Sequence, residues 1–325
     1  QEEGEVAAVG AAAALPLDAG PARVKLDVVG KDLAFLAEGL RARRWSSLDL
    51  VQAYVGRIKV VDRSIQAVVE LNPDAVALAG QLDRERREGR LRGPLHGLPI
   101  LLKDNLDTAD RMKTTAGSLA LLDAPAPRED AFTVQRLREA GALILGKANL
   151  SEWANFRSTH SVSGWSGRGG QTRNPHVLNR SPSGSSSGSG AAVAASLCAA
   201  AVGTETDGSI VSPASACGIV GLKPTVGLIS RRGIIPTSAT QDTAGPMART
   251  GRDAALLLSG MVGFDAGDPS MAGGEGRSER DYTRFLVPDG LKGARLGVLR
   301  NLMGRPPGVD AVVEPALDRL RALGA

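Results

Sequence analysis

The stretch from Ser181 to Ile210, SPSGSSSGSGAAVAASLCAAAVGTETDGSI, carries two serines in settings that suit chemistry. Ser185 lies in a run crowded with Gly and Ser, and Ser209 closes the small-residue turn T-D-G-S. The Ala-rich segment between them is typical of a tightly packed helix, and a turn before such a helix presents unpaired N–H groups to an anion or to developing negative charge. A phosphate cradle would need a lysine after the glycines, and none follows them. We therefore interpret the stretch as a serine nucleophile site.

A serine hydroxyl needs a base to remove its proton, and the usual partner is histidine. The three histidines, His96, His160 and His176, lie outside any triad-like pattern, and no G-x-S-x-G elbow occurs. Lys103 directly follows the apolar run Pro99–Leu102, which is typical of a buried strand. Burial lowers the pKa of a lysine by up to ~3–5 units from ~10.4, so Lys103 is the predicted base. The alternative is a solvated lysine at a strand end.

The two serines divide the remaining work. Ser209 is the better nucleophile candidate, because a tight turn aims several backbone N–H groups at one carbonyl oxygen. These oxyanion-hole groups are predicted to belong to Thr206, Asp207, Gly208 and Ser209. Ser185 then acts as a proton relay between base and nucleophile, which requires the three side chains to meet in space. Ser183, Gly184 and Asp207 are the predicted substrate contacts.

Alternating helical and strand patterns must position these side chains. Periodicity predicts helices over eight segments: Lys31–Arg44, Ser47–Asp62, Ala75–Arg90, Asp130–Gly141, Asn149–Phe156, Ser189–Ala201, Arg252–Val262 and Val309–Leu323. Short apolar runs predict strands at Pro99–Leu102, Ala142–Gly146 and Arg295–Leu299. A long loop, Ser158–Arg180, offers Trp165 and Arg168 as further substrate contacts. The pattern predicts one large α/β domain.

The composition, 42% hydrophobic and 23% charged over 325 residues, is that of a globular chain. Its 39 basic and 35 acidic residues are interspersed and aromatics are 3%, which does not favour nucleic-acid binding. No apolar run approaches the ~20 residues of a membrane span, and no His or Cys spacing predicts a metal site. We expect neither metal nor cofactor, and nothing in the sequence indicates an oligomeric state.

Residues 1–28 are predicted to be a mobile leader, rich in Ala, Gly and acidic residues. The chain begins with Gln1 instead of Met. A trimmed signal peptide would explain that start, which slightly favours a periplasmic or secreted location over a cytoplasmic one. A disordered tail would explain it equally well.

Three blocks resemble the signature blocks of the amidase signature family of serine amidohydrolases: GPLHGLPILLKDN, SGSSSGSG, and GTETDGSI followed by GLKPT. They cover about residues 93–225 in the family's order and spacing, with Ser185 82 positions after Lys103 and Ser209 24 positions after Ser185. The resemblance implies a Ser-Ser-Lys triad with Lys103 as base, Ser185 after a cis peptide bond and Ser209 as acyl-enzyme nucleophile. It also implies a large mixed central β-sheet surrounded by helices over residues 29–325.

The chain departs from the common family pattern in three ways. Asp207-Gly208-Ser209 stands where many members have G-G-S, and Ser187 replaces a usual Gly. Together with Gln241–Arg249 (QDTAGPMAR), these variations resemble the peptide amidase branch, whose members remove the C-terminal amide of peptides. Asp207 either orients a substrate amide or only fits the turn. Family domains continue beyond the last predicted helix, so the C-terminal portion of the domain is expected to be missing.

The expected function is hydrolysis of a carboxamide to a carboxylate and ammonia through an acyl-enzyme. The expected substrate is the C-terminal amide of a peptide or a related small amide. One alternative is the glutamine-hydrolysing subunit of a tRNA-dependent amidotransferase, which needs a partner. The other is a noncatalytic protein that binds an anion or a peptide terminus.

Overall fold

The structure is a computed structural model that describes Val24, residues 26–304 and residues 307–325. Most of the predicted leader, residues 1–23 and residue 25, lies outside the described residues. The chain divides into two compact units, Gln1–Asp281 and Tyr282–Ala325.

The first unit alternates helices and strands. Its described strands are β1 (Val68–Leu71), β2 (Pro99–Lys103), β3 (Leu143–Ala148), β4 (Trp165–Ser166), β5 (Gly170–Gln171), β6 (Ala200–Glu205), β7 (Val220–Gly221) and β8 (Thr243–Ala248). Its described α-helices are α1 (Leu33–Arg41), α2 (Ser47–Arg57), α3 (Arg63–Ile65), α4 (Ala75–Arg87), α5 (Phe132–Glu139), α6 (Ser187–Ala194), α7 (Val211–Cys217) and α8 (Gly251–Met261). A π-helical turn, Ile58–Asp62, continues α2, and 3₁₀ turns lie at Leu119–Leu121, Glu152–Asn155 and Pro269–Met271.

Six strands form one mixed sheet in the order β1-β3-β2-β6-β8-β7. Strand β2 runs parallel to both of its neighbours, β3 and β6, whereas the outer pairs are antiparallel. Every residue of β2, β3, β6 and β8 is buried. Helices pack against this sheet, as strands covered on both faces require. The expected α/β fold with a large mixed central sheet is therefore confirmed.

The helix predicted over Ser189–Ala201 is too long. Helix α6 ends at Ala194, and the chain enters β6 at Ala200. Small side chains let α6 approach its neighbours closely: a Cβ atom on Gly188 would lie 2.4 Å from the carbonyl oxygen of Ala67. The same small residues then fit between two buried strands, so the Ala-rich composition does not distinguish helix from strand here.

The predicted start of α2 agrees with the structure, whereas two strands of the sheet were missed. The capping box of Ser46 and Asp49 begins α2 as expected. Strands β1 and β8 were not predicted, and β8 reads TAGPMA, which contains Gly and Pro and has little strand propensity of its own.

In the second unit, α9 (Pro307–Ala322) matches the last predicted helix. The strand predicted over Arg295–Leu299 is wrong, because no residue there is in a strand. Two 3₁₀ turns, Tyr282–Phe285 and Arg300–Leu302, complete the described elements of this unit. No helix within the described residues of either unit is long and apolar enough to cross a lipid bilayer.

Candidate active site

Lys103 ends β2, and its side chain is fully buried. Its Nζ donates hydrogen bonds to Ser185 Oγ at 2.7 Å and to the carbonyl oxygen of Thr204 at 3.1 Å. Burial lowers the pKa of Lys103 to about 7, while the carboxylates of Glu205 and Asp242 act in the opposite direction. A large fraction of this amine is therefore uncharged near neutral pH, as a general base requires.

Ser185 lies just before α6, and the Gly184–Ser185 peptide bond is cis, as the resemblance implies. The Ser185 side chain is fully buried, and its carbonyl oxygen accepts a hydrogen bond from the Ser151 N–H at 3.0 Å. The next residue, Ser186, bonds through its hydroxyl to both the carbonyl oxygen (3.0 Å) and the N–H (3.2 Å) of Thr204. Thr204 therefore bonds both to the Lys103 amine and to the residue that follows the relay serine, Ser185.

Ser209 lies in the turn between β6 and α7. The Ser186 N–H donates to its carbonyl oxygen at 3.1 Å, so the segment that carries Ser185 also positions the Ser209 turn. The Ser209 hydroxyl makes no hydrogen bond to any other described residue, and Ser185 and Ser209 line the same cavity. The structure thus joins Lys103 to Ser185 by a hydrogen bond, and it places Ser209, with no hydrogen bond on its hydroxyl, in the cavity that Ser185 lines.

The carboxylate of Glu205 holds the Ser209 turn in place by hydrogen bonds. It accepts hydrogen bonds from the N–H groups of Gly208 (2.9 Å), Ile210 (2.7 Å) and Val211 (3.0 Å). Gly208 adopts a φ of +81°, a conformation that favours glycine.

The N–H of Gly208, predicted to belong to the oxyanion hole, already donates to Glu205 in this structure. The N–H groups of Thr206, Asp207 and Ser209 donate to no described residue. These three stay candidates for binding a developing oxyanion.

The cavity has a volume of about 420 Å³ and is enclosed by β6, the turn after it and a loop at 231–239. Its polar lining residues include Ser185, Thr204, Ser209 and Asn105. Its apolar lining residues are Ala154, Ile234, Ile235, Pro236, Ala239 and Pro269. Its size falls within the roughly 300–1,000 Å³ of sites that hold small molecules. Ser185 and Ser209 thus line a cavity whose wall also contains apolar side chains.

The predicted substrate contacts are not brought to this cavity. Ser183, Gly184 and Asp207 are absent from its wall. The Ser183 hydroxyl is paired with that of Ser212 at 2.7 Å, and Gly184 packs on the Ser151 hydroxyl. The Asp207 side chain is exposed, which fits the interpretation that it only suits the turn.

The two loop residues expected to contact substrate also lie elsewhere. Arg168 is turned inward, where it forms ion pairs with Asp104 and Glu70. Trp165 stacks beneath the guanidinium of Arg157, whose carbon Cζ lies 4.7 Å from the ring centroid. Both side chains therefore serve the packing of the loop.

Three parts of the site were missed by sequence reasoning. Asn105 donates to the Thr204 hydroxyl at 3.0 Å, and its Oδ1 is buried without a partner. Asp242 accepts from the N–H groups of Thr237 (2.7 Å) and Ser238 (2.8 Å) and from the Thr206 hydroxyl. The third part is the apolar wall. Asp242 lies within QDTAGPMAR and Asn105 within the K-D-N block, so the motifs contained a signal for these two, whereas the wall residues carry none.

Within the described residues, no group of three or more His, Cys, Asp and Glu side chains is placed to hold a metal ion. Another lysine, Lys223 in the block GLKPT, is half-buried and does not line the cavity. Its Nζ has a long contact of 3.5 Å to the carbonyl oxygen of Pro224.

Comparison with known proteins shows the family of the chain. The family model described as Amidase matches residues 49–325. The crystal structure of the native peptide amidase of Stenotrophomonas maltophilia is 55% identical and superposes with a TM-score of 0.86, covering 91% of this chain and 61% of that one.

Curated relatives give the same result. A protein of Arabidopsis thaliana named a probable amidase is 51% identical over 79% of this chain and 51% of its own length. A glutamyl-tRNA(Gln) amidotransferase subunit of Methylobacillus flagellatus is 41% identical over 92% of this chain and 59% of its own length. The chain belongs to the amidase family, and it spans between half and two thirds of the length of these relatives.

Proposed function

We propose that the protein is a serine amidohydrolase that cleaves a carboxamide C–N bond to give a carboxylate and ammonia. The observation that carries this proposal is the 2.7 Å contact between the buried Lys103 amine and the Ser185 hydroxyl, at the wall of the cavity that Ser209 also lines. A lysine with its pKa near 7 next to two hydroxyls supports proton transfer at neutral pH.

In the proposed mechanism, the Ser209 hydroxyl oxygen attacks the carbonyl carbon of the substrate. Its proton passes to Ser185 while Ser185 gives its own proton to the neutral Lys103 amine. The oxyanion is stabilised by N–H groups of the turn, for which Thr206, Asp207 and Ser209 are available. The intermediate then collapses, the C–N bond breaks, and ammonia leaves with a proton returned through Ser185.

Water completes the cycle. It attacks the acyl group on Ser209, giving its proton to Lys103 through Ser185. The ester bond breaks, the Ser209 oxygen recovers that proton from Lys103 through Ser185, and the product departs as the carboxylic acid, which loses its remaining proton to solvent. Lys103 is uncharged again at the end of the cycle.

The proposed substrates are C-terminal amides of peptides or related small amides. The similarity to the Stenotrophomonas peptide amidase supports this class, as does a cavity of small-molecule size. A second candidate is a glutamine-hydrolysing amidotransferase subunit, which the similarity to the Methylobacillus protein favours. Ammonia release from glutamine that depends on an added partner subunit would favour the second candidate.

A fluorophosphonate probe tests the proposal. The probe should form one adduct with the purified protein, and mass spectrometry of the digest should locate it on Ser209. The Ser209→Ala variant should take up no probe and should release no ammonia from a panel of peptide amides.

Ser212→Ala provides a matched control. That serine lies three residues later, on α7, and does not line the cavity. Its variant should label as the parent does. Labelling that is absent from the parent protein, or that persists in Ser209→Ala, would contradict the proposal.

A further inference from the structure

We propose that this cavity selects uncharged amides with an apolar acyl group and discriminates against substrates that carry a charge near the amide. The inference rests on the proposed function and names the substrate class of the same site. It comes from the observation that the charged side chains of the cavity wall already have bonding partners within the protein.

The cations of the wall already have partners. Arg231 bonds to Asp268 through its side chain at 3.1 and 3.3 Å and through its N–H at 2.7 Å, and it also donates to the carbonyl oxygen of Ala239. Arg232, the more exposed of the two, donates from Nε to Asp265 at 2.9 Å. Neither guanidinium offers an unpaired positive charge to a substrate carboxylate.

The anions of the wall are also engaged, Glu205 and Asp242 by neutral donors and Asp268 by a guanidinium. Glu205 accepts three backbone N–H groups, and Asp242 accepts two N–H groups and a hydroxyl. Asp268 is paired with Arg231, which with its other donors holds the pKa of that carboxyl below its ordinary value although burial opposes the shift. A substrate ammonium would therefore find carboxylates whose oxygens are already engaged.

The uncharged part of the wall contains six apolar residues, Ala154, Ile234, Ile235, Pro236, Ala239 and Pro269, beside neutral polar ones such as Thr237, Ser238 and Thr243. Transferring a charged group from water to such a wall is costly unless a partner meets it. An aliphatic group gains from the same transfer. Free glutamine carries an ammonium and a carboxylate beside its side-chain amide, so this wall disfavours it as a substrate.

The test compares three amides of similar size that release the same ammonia: the amides of N-acetyl-leucine, N-acetyl-glutamic acid and N-acetyl-lysine, with free glutamine as a fourth compound. We expect kcat/KM for the leucine derivative to exceed that for both charged derivatives by about a hundredfold or more. Equal or greater rates with a charged derivative or with glutamine would overturn the inference.

Binding to the Ser209→Ala variant, measured by calorimetry, separates this inference from the hydrolase proposal. That variant has no nucleophile but keeps the wall. Tighter binding of the leucine derivative would support the inference even if the parent protein released no ammonia from any amide, a result that would defeat the hydrolase proposal alone. Equal affinities for all four compounds would overturn the inference.

Variants of Ile235, a wall residue, test whether the wall determines substrate selectivity. Ile235→Ala should lower kcat/KM about tenfold or more for the leucine derivative but little for acetamide, since only the longer acyl group reaches the wall. Ile235→Asp should raise the rate with the lysine derivative relative to the leucine derivative about tenfold.

Ile65→Ala is the matched control, because it truncates an isoleucine buried on α3 outside the cavity. This variant should leave the ratios of kcat/KM between the substrates at the values of the parent protein. Ratios that respond equally to Ile65→Ala and Ile235→Ala would show that the wall does not choose the substrate, and would overturn the inference.

Discussion

Two lysines with side chains that are both fully buried lie side by side in the central sheet. Lys103 ends β2 opposite Ala148 of β3, and Lys147 lies one position earlier in β3, opposite Leu102. Because successive side chains of a strand point to opposite faces, the two amines lie on opposite faces of the sheet. Their surroundings differ accordingly.

The Lys103 amine contacts only neutral oxygens, a hydroxyl and a carbonyl. Lys147 also contacts a carbonyl, of Leu106 at 2.6 Å, and a hydroxyl, of Thr114 at 2.9 Å. Its region, however, contains several carboxylates that favour the charged amine: Asp104, Asp110, Asp107 and Glu70. Burial lowers the pKa of both lysines, and carboxylates oppose it on both sides: two of them, Glu205 and Asp242, for Lys103, and the group of four for Lys147.

The two buried lysines differ in role: one belongs to an ion network and the other is placed to exchange a proton. On the Lys147 face, Arg168 pairs with Asp104 and Glu70, so the region is an ion network that holds loops together. On the Lys103 face, carboxylates are engaged by N–H groups and hydroxyls, and the amine is left to exchange a proton with Ser185. Burial alone therefore does not identify a base; the neighbours of the amine do.

The largest expected effect comes from Lys103→Met, which keeps the volume and removes the amine. We expect kcat for ammonia release to fall by about 10³-fold, within the range that general acid–base groups contribute. The free energy of unfolding should not decrease, because the variant no longer buries an amine that is charged in the unfolded chain at neutral pH. Ammonia assays and urea unfolding measure the two quantities.

Lys147→Met is the paired control for that experiment. It should lower the free energy of unfolding, because Asp104 and its neighbours lose a cation, while the rate per folded molecule stays close to that of the parent. Comparable loss of rate in both lysine variants would mean that the two faces do not differ in the way described above.

An effect on stability instead of rate is expected from Arg168→Met on the network face. This change leaves the fully buried Asp104 without its guanidinium, and breaking such a pair costs about 3–5 kcal/mol. Burial already raises the pKa of Asp104, so the loss should shrink as the pH falls and the carboxyl takes up a proton. Urea unfolding at several pH values measures both.

Arg157→Met serves as its control. Arg157 is partly exposed and lies 3.7 Å from Glu152, so its removal should change the free energy of unfolding by about 0–1 kcal/mol. A loss for Arg168→Met as small as this, or one independent of pH, would contradict the role assigned to the network.

The same contrast explains how much could be predicted from the sequence. Lys103, Ser185 and Ser209 stand in short blocks whose spacing is visible along the chain, and the structure joins the first two and exposes the third to their cavity. Arg168 was expected to meet substrate because it lies on a long loop. Its inward turn depends on Asp104 and Glu70, which are distant in sequence, so nothing local indicated it.

The fold, too, was predicted in part: the central sheet was expected and the cavity wall was not. The central sheet followed from the buried run before Lys103 and from the family resemblance. The cavity wall did not, because Ile234 and Ile235 reach the site through a hydrogen bond from the Ile235 N–H to the Asn105 carbonyl at 2.9 Å. That contact joins segments 130 positions apart, and apolar residues in a loop carry no pattern that reveals such a partner.

The smallest expected effect concerns the charges around Lys103. Since only the neutral amine accepts a proton, kcat/KM should rise with pH up to a midpoint near the pKa of about 7 and should fall about tenfold per unit below it. Asp242 is one of two carboxylates that raise this pKa. Asp242→Asn keeps an acceptor for the surrounding N–H groups but removes the charge, so the midpoint should move to lower pH by less than about one unit.

Asp265→Asn is the control for this last change. Asp265 is also a buried carboxylate paired by hydrogen bonds, but it binds Ser230 and Arg232 and has no influence on the pKa of Lys103. Its variant should keep the midpoint of the parent. A midpoint that moves upward in Asp242→Asn, or that moves equally in both variants, would mean that the rate is not governed by an amine held in this cavity, and the distinction between the two buried lysines would lose its chemical basis.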